Sequence, residues 1–256
     1  MRAWIIGAGL LAAAATCGPA RADRMALWTI VHEQCAPDQK EHDSPKPCEF
    51  VDLTGGEDKG MAILKDLHGK AQMLAIPTRR IAGIESSDIL SADAPDIWGA
   101  AWRARSLLEG RLGHDLSRSA IGLSINAASR RSQDQLHIHV DCMLPDVAAT
   151  LAAHAGETTA EWRAFPYALN GRRYLARRLD SPDLAGQNLF RLLADGVPDA
   201  AKDMADQTMA AVGAHFSDGA DGFILLASHA DTGDFSSGHA EDVQDHDCAI
   251  AAEPPK

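Results

Sequence analysis

The strictest alternation of apolar and polar residues falls at 135–142, Gln135-Leu136-His137-Ile138-His139-Val140-Asp141-Cys142. At the two-residue period of a β-strand, Leu136, Ile138 and Val140 share one face, and Gln135, His137, His139 and Asp141 share the other. One face requires a core and the other displays imidazoles. A second alternating run at 121–126 precedes it across the polar connector 127–134, which predicts strand, loop and strand. Further strands are predicted at 62–66 and 73–77, joined by a turn at His68-Gly69, and at 172–178. The runs 208–215 and 222–229 read as a hairpin across 217–221. Helical spacing predicts a first helix at 24–35 with Met25, Trp28 and Val31 on its apolar side. A longer helix follows the capping stretch 91–95, with Ile97, Trp98, Ala101, Trp102, Arg105 and Leu108 on one face and Gly110 as its stop. Tryptophans at this spacing belong to a core. Helices are also expected at 145–154, 184–194 and 199–206. Strands and helices mix without regular βαβ alternation, so the class is α+β, a mainly antiparallel sheet with packed helices.

Charge narrows the partners. A formal net charge of −12 and a pI near 5.3 over 256 residues repel polyanions, so no nucleic-acid partner is expected, and any phosphate site must be local. Residues 1–22 carry Arg2, an apolar run at 5–15 and the small-x-small site Ala20-Arg21-Ala22, the pattern of a secretory signal peptide or an N-terminal membrane anchor. The run is shorter than the roughly 20 residues of a spanning helix, which favours cleavage. Thr16 stands before Cys17 where a lipoprotein signal needs a small residue. The remainder, 23–256, is expected to be a single domain on the periplasmic side of a bacterial inner membrane. It holds Cys35, Cys48, Cys142 and Cys248, and an exported chain matures under oxidising conditions, so disulfides are expected. Three pairings exist. Closing the short loop between Cys35 and Cys48 is the simplest, which leaves Cys142 for Cys248 and would tie His246 to the histidine strand; buried free thiols are the alternative.

Two histidines on one strand face can be structural, can ligate a metal, or can be a nucleophile and its support. Around them the connector supplies Asn126, Ser129, Arg130, Arg131 and Ser132. Hydroxyls, an amide and guanidinium forks suit a phosphate better than a transition metal.

Gln-Leu-His-Ile-His-Val at 135–140 resembles the motif of the histidine-triad (HIT) superfamily of nucleotide hydrolases and transferases. The stretch 72–81 resembles that superfamily's earlier strand, and Asn126 sits where it has an asparagine before the phosphate loop. Four ordered stretches resemble the CDP-diacylglycerol pyrophosphatase family more closely: Pro77-Thr78-Arg79-Arg80-Ile81; Gln135 to Cys142 with Pro145-Asp146-Val147; Tyr174-Leu175-Ala176-Arg177-Arg178; and Val243-Gln244-Asp245-His246-Asp247-Cys248. The resemblance implies a HIT-like fold and hydrolysis of CDP-diacylglycerol to CMP and phosphatidate, with the membrane as the source of substrate. It makes His137 the nucleophile and His139 its support or a phosphate ligand, and it places Arg79 and Arg80 beside the nucleotide. Arg130, Arg131 and Ser132 would hold phosphate oxygens, with Asn126 and Ser129 organising the loop. Gln135 and Gln72 depart from the pattern, standing where relatives carry histidine. Glutamine donates a hydrogen bond but carries no proton, so His139 or His246 becomes the candidate acid or support. The scheme needs no cofactor and no metal. Its rivals are a periplasmic metal-binding module built on His137 and His139 with Asp141 or His246, and a hydrolase of a soluble nucleoside diphosphate derivative.

Overall fold

The computed structural model describes residues 23–231, 233 and 237–252. The expected signal or anchor at 1–22 lies outside them. Ten strands form one antiparallel sheet: β1 (Phe50–Asp52), β2 (Met61–Lys65), β3 (Met73–Pro77), β4 (Ile121–Ile125), β5 (Ile138–Met143), β6 (Arg163–Ala164), β7 (Leu175–Leu179), β8 (Gln207–His215), β9 (Asp221–His229) and β10 (Gln244–Asp245). The order is β1-β2-β3-β5-β4-β8-β9-β7-β6, and β10 pairs with the end of β5 that lies beyond its ladder with β3. The predicted strands on 62–66 and 73–77 and the 207–229 hairpin stand at their expected places.

The helices are α1 (Ala26–Ile30), continued through a π turn (Val31–Cys35) into α2 (Ala36–His42), then α3 (Ile97–Leu112), α4 (Pro145–Ala153) and α5 (Leu189–Gly196). In the first helix Leu27, Val31 and Cys35 are buried at four-residue intervals, rather than the predicted Met25 and Trp28; Trp28 instead stacks on His32. The long helix α3 runs past Gly110 and ends at Gly113, whose φ of 82° is the left-handed cap that a side chain resists. Helix α5 starts late because the Asn188 side chain caps it, accepting from the Arg191 N–H at 3.1 Å. The expected helix at 199–206 is two 3₁₀ turns, preceded by Asp199 at positive φ and separated by Asp203, whose φ of −138° and ψ of 43° are not helical.

One sheet face packs α3 and α5 over Met73, Leu123, Ile138, Val140 and Leu225, with Trp98 and Trp102 buried there as core. The opposite face is divided. At one side the N-terminal helices cover Ala62, Leu64, Leu74 and Ile76; at the other, α4 and the turn Ala240–Val243 cover Met143, Ala210, Val212 and Leu226. Between these apolar clusters runs a polar strip on β5 and β4, and the histidines stand in it.

Candidate active site

The register accounts for the strip. Ser124 lies opposite His139 and Gly122 opposite Asp141, while Leu74 flanks His139 from the other side. His137, His139, Asp141, Ser124, Asn126 and Gln72 are all buried, and a buried polar group must find partners. The C-terminal segment supplies most of them. The Gln244 amide donates to Gly122 O at 2.6 Å and accepts from Ser124 Oγ at 2.7 Å. A Cβ on Gly122 would sit 2.3 Å from Met143 Sδ, so a side chain at 122 would have to displace the buried Met143 side chain. His246 Nδ1 lies 2.7 Å from Asp141 Oδ2. Both expected disulfides form, Cys35–Cys48 and Cys142–Cys248, and the second fastens this segment to β5.

His137 Nδ1 is 2.7 Å from the carbonyl oxygen of Gln135. A carbonyl only accepts, so Nδ1 carries the hydrogen and Nε2 keeps the lone pair. Burial first, and then the neighbouring His139, hold this ring down at about 4, so it is neutral at pH 7. The two imidazoles meet edge to face, with centroids 4.9 Å apart. His139 Nδ1 faces Glu241 Oε1 at 3.1 Å. Burial opposes ionisation of Glu241, but the adjacent His139 ring and hydrogen bonds from Asn126 and Gln72 outweigh it and hold the carboxyl below its usual range. The His246 ring is raised by its bond to Asp141.

The remaining expected residues divide into engaged and free. The Gln135 amide donates to Pro77 O and Arg79 O, both at 2.9 Å, and accepts from Arg80 Nη1 and Ile81 N. It has no donor left for a phosphate and serves to bind the β3 exit to the β5 entrance. Arg131 forks onto Glu85 at 2.6 Å twice and reaches Asp134. Arg130 holds the carbonyls of Ser237 and Asp231. Arg80 spans Asp134 O and Gln135 Oε1 and lies 6.0 Å over the Trp28 ring. Arg79 differs: its Nε is buried and partnerless, and among the described residues no side-chain bond or ion pair holds its guanidinium. Ser129 and Ser132 are exposed on the connector. Asn126 bonds Glu241 through both ends of its amide, at 2.9 and 3.3 Å.

Two features were not foreseen. Glu241 and Gln244, more than 100 residues from their partners on or beside β4 and β5, complete the strip; Gln244 falls in the stretch 243–248 singled out above, and the sequence gives no signal for Glu241. Conversely, Arg177 and Arg178 lie on β7, on the far side of β4, β8 and β9, where Arg178 bonds Asp180 and Asp218, while Arg172, ahead of that strand, pairs with Asp242 at 3.6 Å. For the metal reading, Asp141 is taken by His246, and among the described residues no group of three metal-ligating side chains includes His137 or His139.

Residues 22–252 match the family model described as CDP-diacylglycerol pyrophosphatase. The chain is also 37% identical over 230 residues to a Yersinia pestis protein named CDP-diacylglycerol pyrophosphatase, covering 90% of this chain and 86% of that one.

Proposed function

The chain belongs to the CDP-diacylglycerol pyrophosphatase family, and from that premise we propose that it hydrolyses CDP-diacylglycerol to CMP and phosphatidate through a covalent intermediate on His137. The observation that carries this reading is the His137 ring itself, neutral, buried, and turned by the Gln135 carbonyl so that the Nε2 lone pair is the reactive one. In the first displacement Nε2 forms a bond to the cytidylyl phosphorus, and the bond to the phosphatidate oxygen breaks with its electron pair. In the second, water replaces the histidine and CMP leaves. Arg79 is the guanidinium free to neutralise phosphate oxygens during both. Since Arg130 and Arg131 already hold protein groups, we assign them to shaping the loop, with Ser129 and Ser132 as its exposed hydroxyls.

We further propose that the protein works at the periplasmic face of the inner membrane. Asp23 O accepts from the Gln133 side chain at 3.0 Å, and Arg24 forks onto Asp134 at 2.6 and 2.7 Å. A tether entering at residue 22 therefore joins the body at the turn that leads into His137.

The test is CMP release from detergent-dispersed CDP-diacylglycerol, with chelator, by residues 23–256 and by the His137→Ala variant. The variant is expected to lose at least about 10³-fold in kcat. Label from the cytidylyl phosphate should be trapped on the parent protein and not on the variant. Activity abolished by chelator would support the metal reading, and activity surviving in the variant would remove His137 from the mechanism.

A further inference from the structure

The loop that joins β2 to β3 presents Leu67 to solvent at 98% exposure, against 52% for Phe50 and 37% for Tyr167, the other exposed large apolar side chains among the described residues. The backbone around it is held. Lys65 Nζ donates to the carbonyls of Asp66, His68 and Gly69 at 2.5, 3.1 and 2.9 Å. Asp66 Oδ1 accepts from His68 N at 3.0 Å, Asp66 N donates to Gln72 O, and Lys70 N donates to His246 O. Most polar backbone groups of the tip are therefore matched inside the protein, which removes the main cost of carrying a loop into a weakly hydrated layer. Lys65 is consumed in that task. His68 and Lys70 are exposed, and among the described residues neither side chain makes a hydrogen bond or ion pair.

The tip borders the histidine strip. A Cβ on Gly69 would sit 3.2 Å from both His246 O and His246 Cβ, so the loop packs on the segment whose imidazole bonds Asp141. Met73 pairs with Val140, which puts the loop at the end of β5 opposite to the turn where Arg24 binds Asp134. The six residues of β5 separate the two places by about 20 Å. We propose that the 66–70 tip is an interfacial anchor: Leu67 enters the acyl boundary of an anionic phospholipid bilayer while Lys70, and His68 when protonated, meet lipid phosphates. The proposal rests on the reading of the substrate as a membrane lipid. A net charge of −12 repels such a surface as a whole, so a docking element has to be local, apolar and cationic. With the chain entering at one end of β5, a contact at the other lays the strip along the bilayer and stops it pivoting about the tether.

Residues 23–256 hold every described element and, with both disulfides formed, no free thiol. Leu67→Cys, and Ala164→Cys on the exposed edge strand β6 as control, each take one nitrobenzoxadiazole label. Vesicles of equal parts phosphatidylcholine and phosphatidylglycerol should blue-shift and brighten the label at 67, less so in high salt, and leave the label at 164 unchanged. No response at 67, or equal responses at both sites, would overturn the anchor. A blue shift without vesicles that grows with protein concentration would overturn it too, by assigning the tip to a contact between copies of the chain. In parallel, Leu67→Ser should lower turnover of CDP-diacylglycerol in the same vesicles about tenfold and leave turnover of a short-chain, monomeric CDP-diacylglycerol unchanged. Equal losses on both substrates, or unchanged vesicle turnover, would count against the anchor. A label at 67 that responds to vesicles, in a parent that releases no CMP from either substrate, would sink the substrate reading and leave the anchor standing.

Discussion

His137 and His246 pull the pH dependence of stability in opposite directions. The folded protein holds His137 at about 4 against an ordinary 6.5, so between those values the unfolded chain binds more protons. Stability from this group falls as pH drops through that window, by roughly 3 kcal/mol at full extent. His246, raised by Asp141, contributes stability that is complete below the ordinary histidine value and is lost as pH rises through its elevated one. Replacing His137 by Gln should therefore flatten the acid-side decline, visible as a smaller drop in denaturation free energy between about pH 6.5 and 4 than in the parent. Parallel pH profiles for the two proteins would show that His137 is not held neutral. The pair of imidazoles was legible from alternation alone. The roles of Gln135 and Arg131 were not, because a side chain with donors reads the same whether its partner is substrate or protein.

At the scale of elements, the C-terminal segment decides whether the site is assembled. Turn Ala240–Val243, strand β10 and the Cys142–Cys248 bond carry Glu241, Gln244 and His246 onto β4 and β5. That bond closes a sequence separation of 106 residues, against 13 for Cys35–Cys48, and chain-entropy arguments give about 4.7 and 3 kcal/mol respectively. The double variant Cys142→Ser with Cys248→Ser should lose about 2–5 kcal/mol of stability. It should also lose activity per folded molecule, whereas Cys35→Ser with Cys48→Ser should lose stability alone. Circular dichroism melts combined with kinetics on the folded fraction separate these; matched activity losses in both variants would mean the segment is held by its hydrogen bonds without the disulfide. Strand and hairpin positions followed from period-two patterning, since each strand reports locally which face is wet. The end of α3 did not, because Gly110 and Gly113 look alike until backbone angles distinguish a tolerated glycine from a cap.

For the whole molecule, the question is how an acidic protein of net charge −12 meets a lipid substrate. Arg24, bonded to Asp134 and to Arg131 O, fixes the start of the described chain against the turn before β5. Arg24 first, with help from Arg131, holds the Asp134 carboxyl down at about 2, so this attachment is charged throughout the ordinary pH range. A tether at 1–22 would then keep the histidine strip beside the bilayer rather than at a distance. The full chain should exceed residues 23–256 in turnover of CDP-diacylglycerol in phospholipid vesicles, by about 10-fold or more at dilute enzyme, and the two should match on detergent-dispersed substrate. Equal rates on vesicles would remove the tether from the mechanism.

Taken alone, the order of residues determined the period-two strands, the antiparallel α+β class and the pair of imidazoles on one face, and it reduced the cysteine pairings to three, among which the structure chose. Each of these follows from local patterning or from a small count of alternatives. Tertiary structure alone decided that Gln135 and Arg131 are consumed by protein partners, that Arg79 is left free, and that Glu241 stands against His139. Those outcomes depend on contacts between residues up to 169 positions apart. No local pattern encodes such contacts, because hydrogen-bond donors and acceptors are matched only when the sheet closes and excludes water from them.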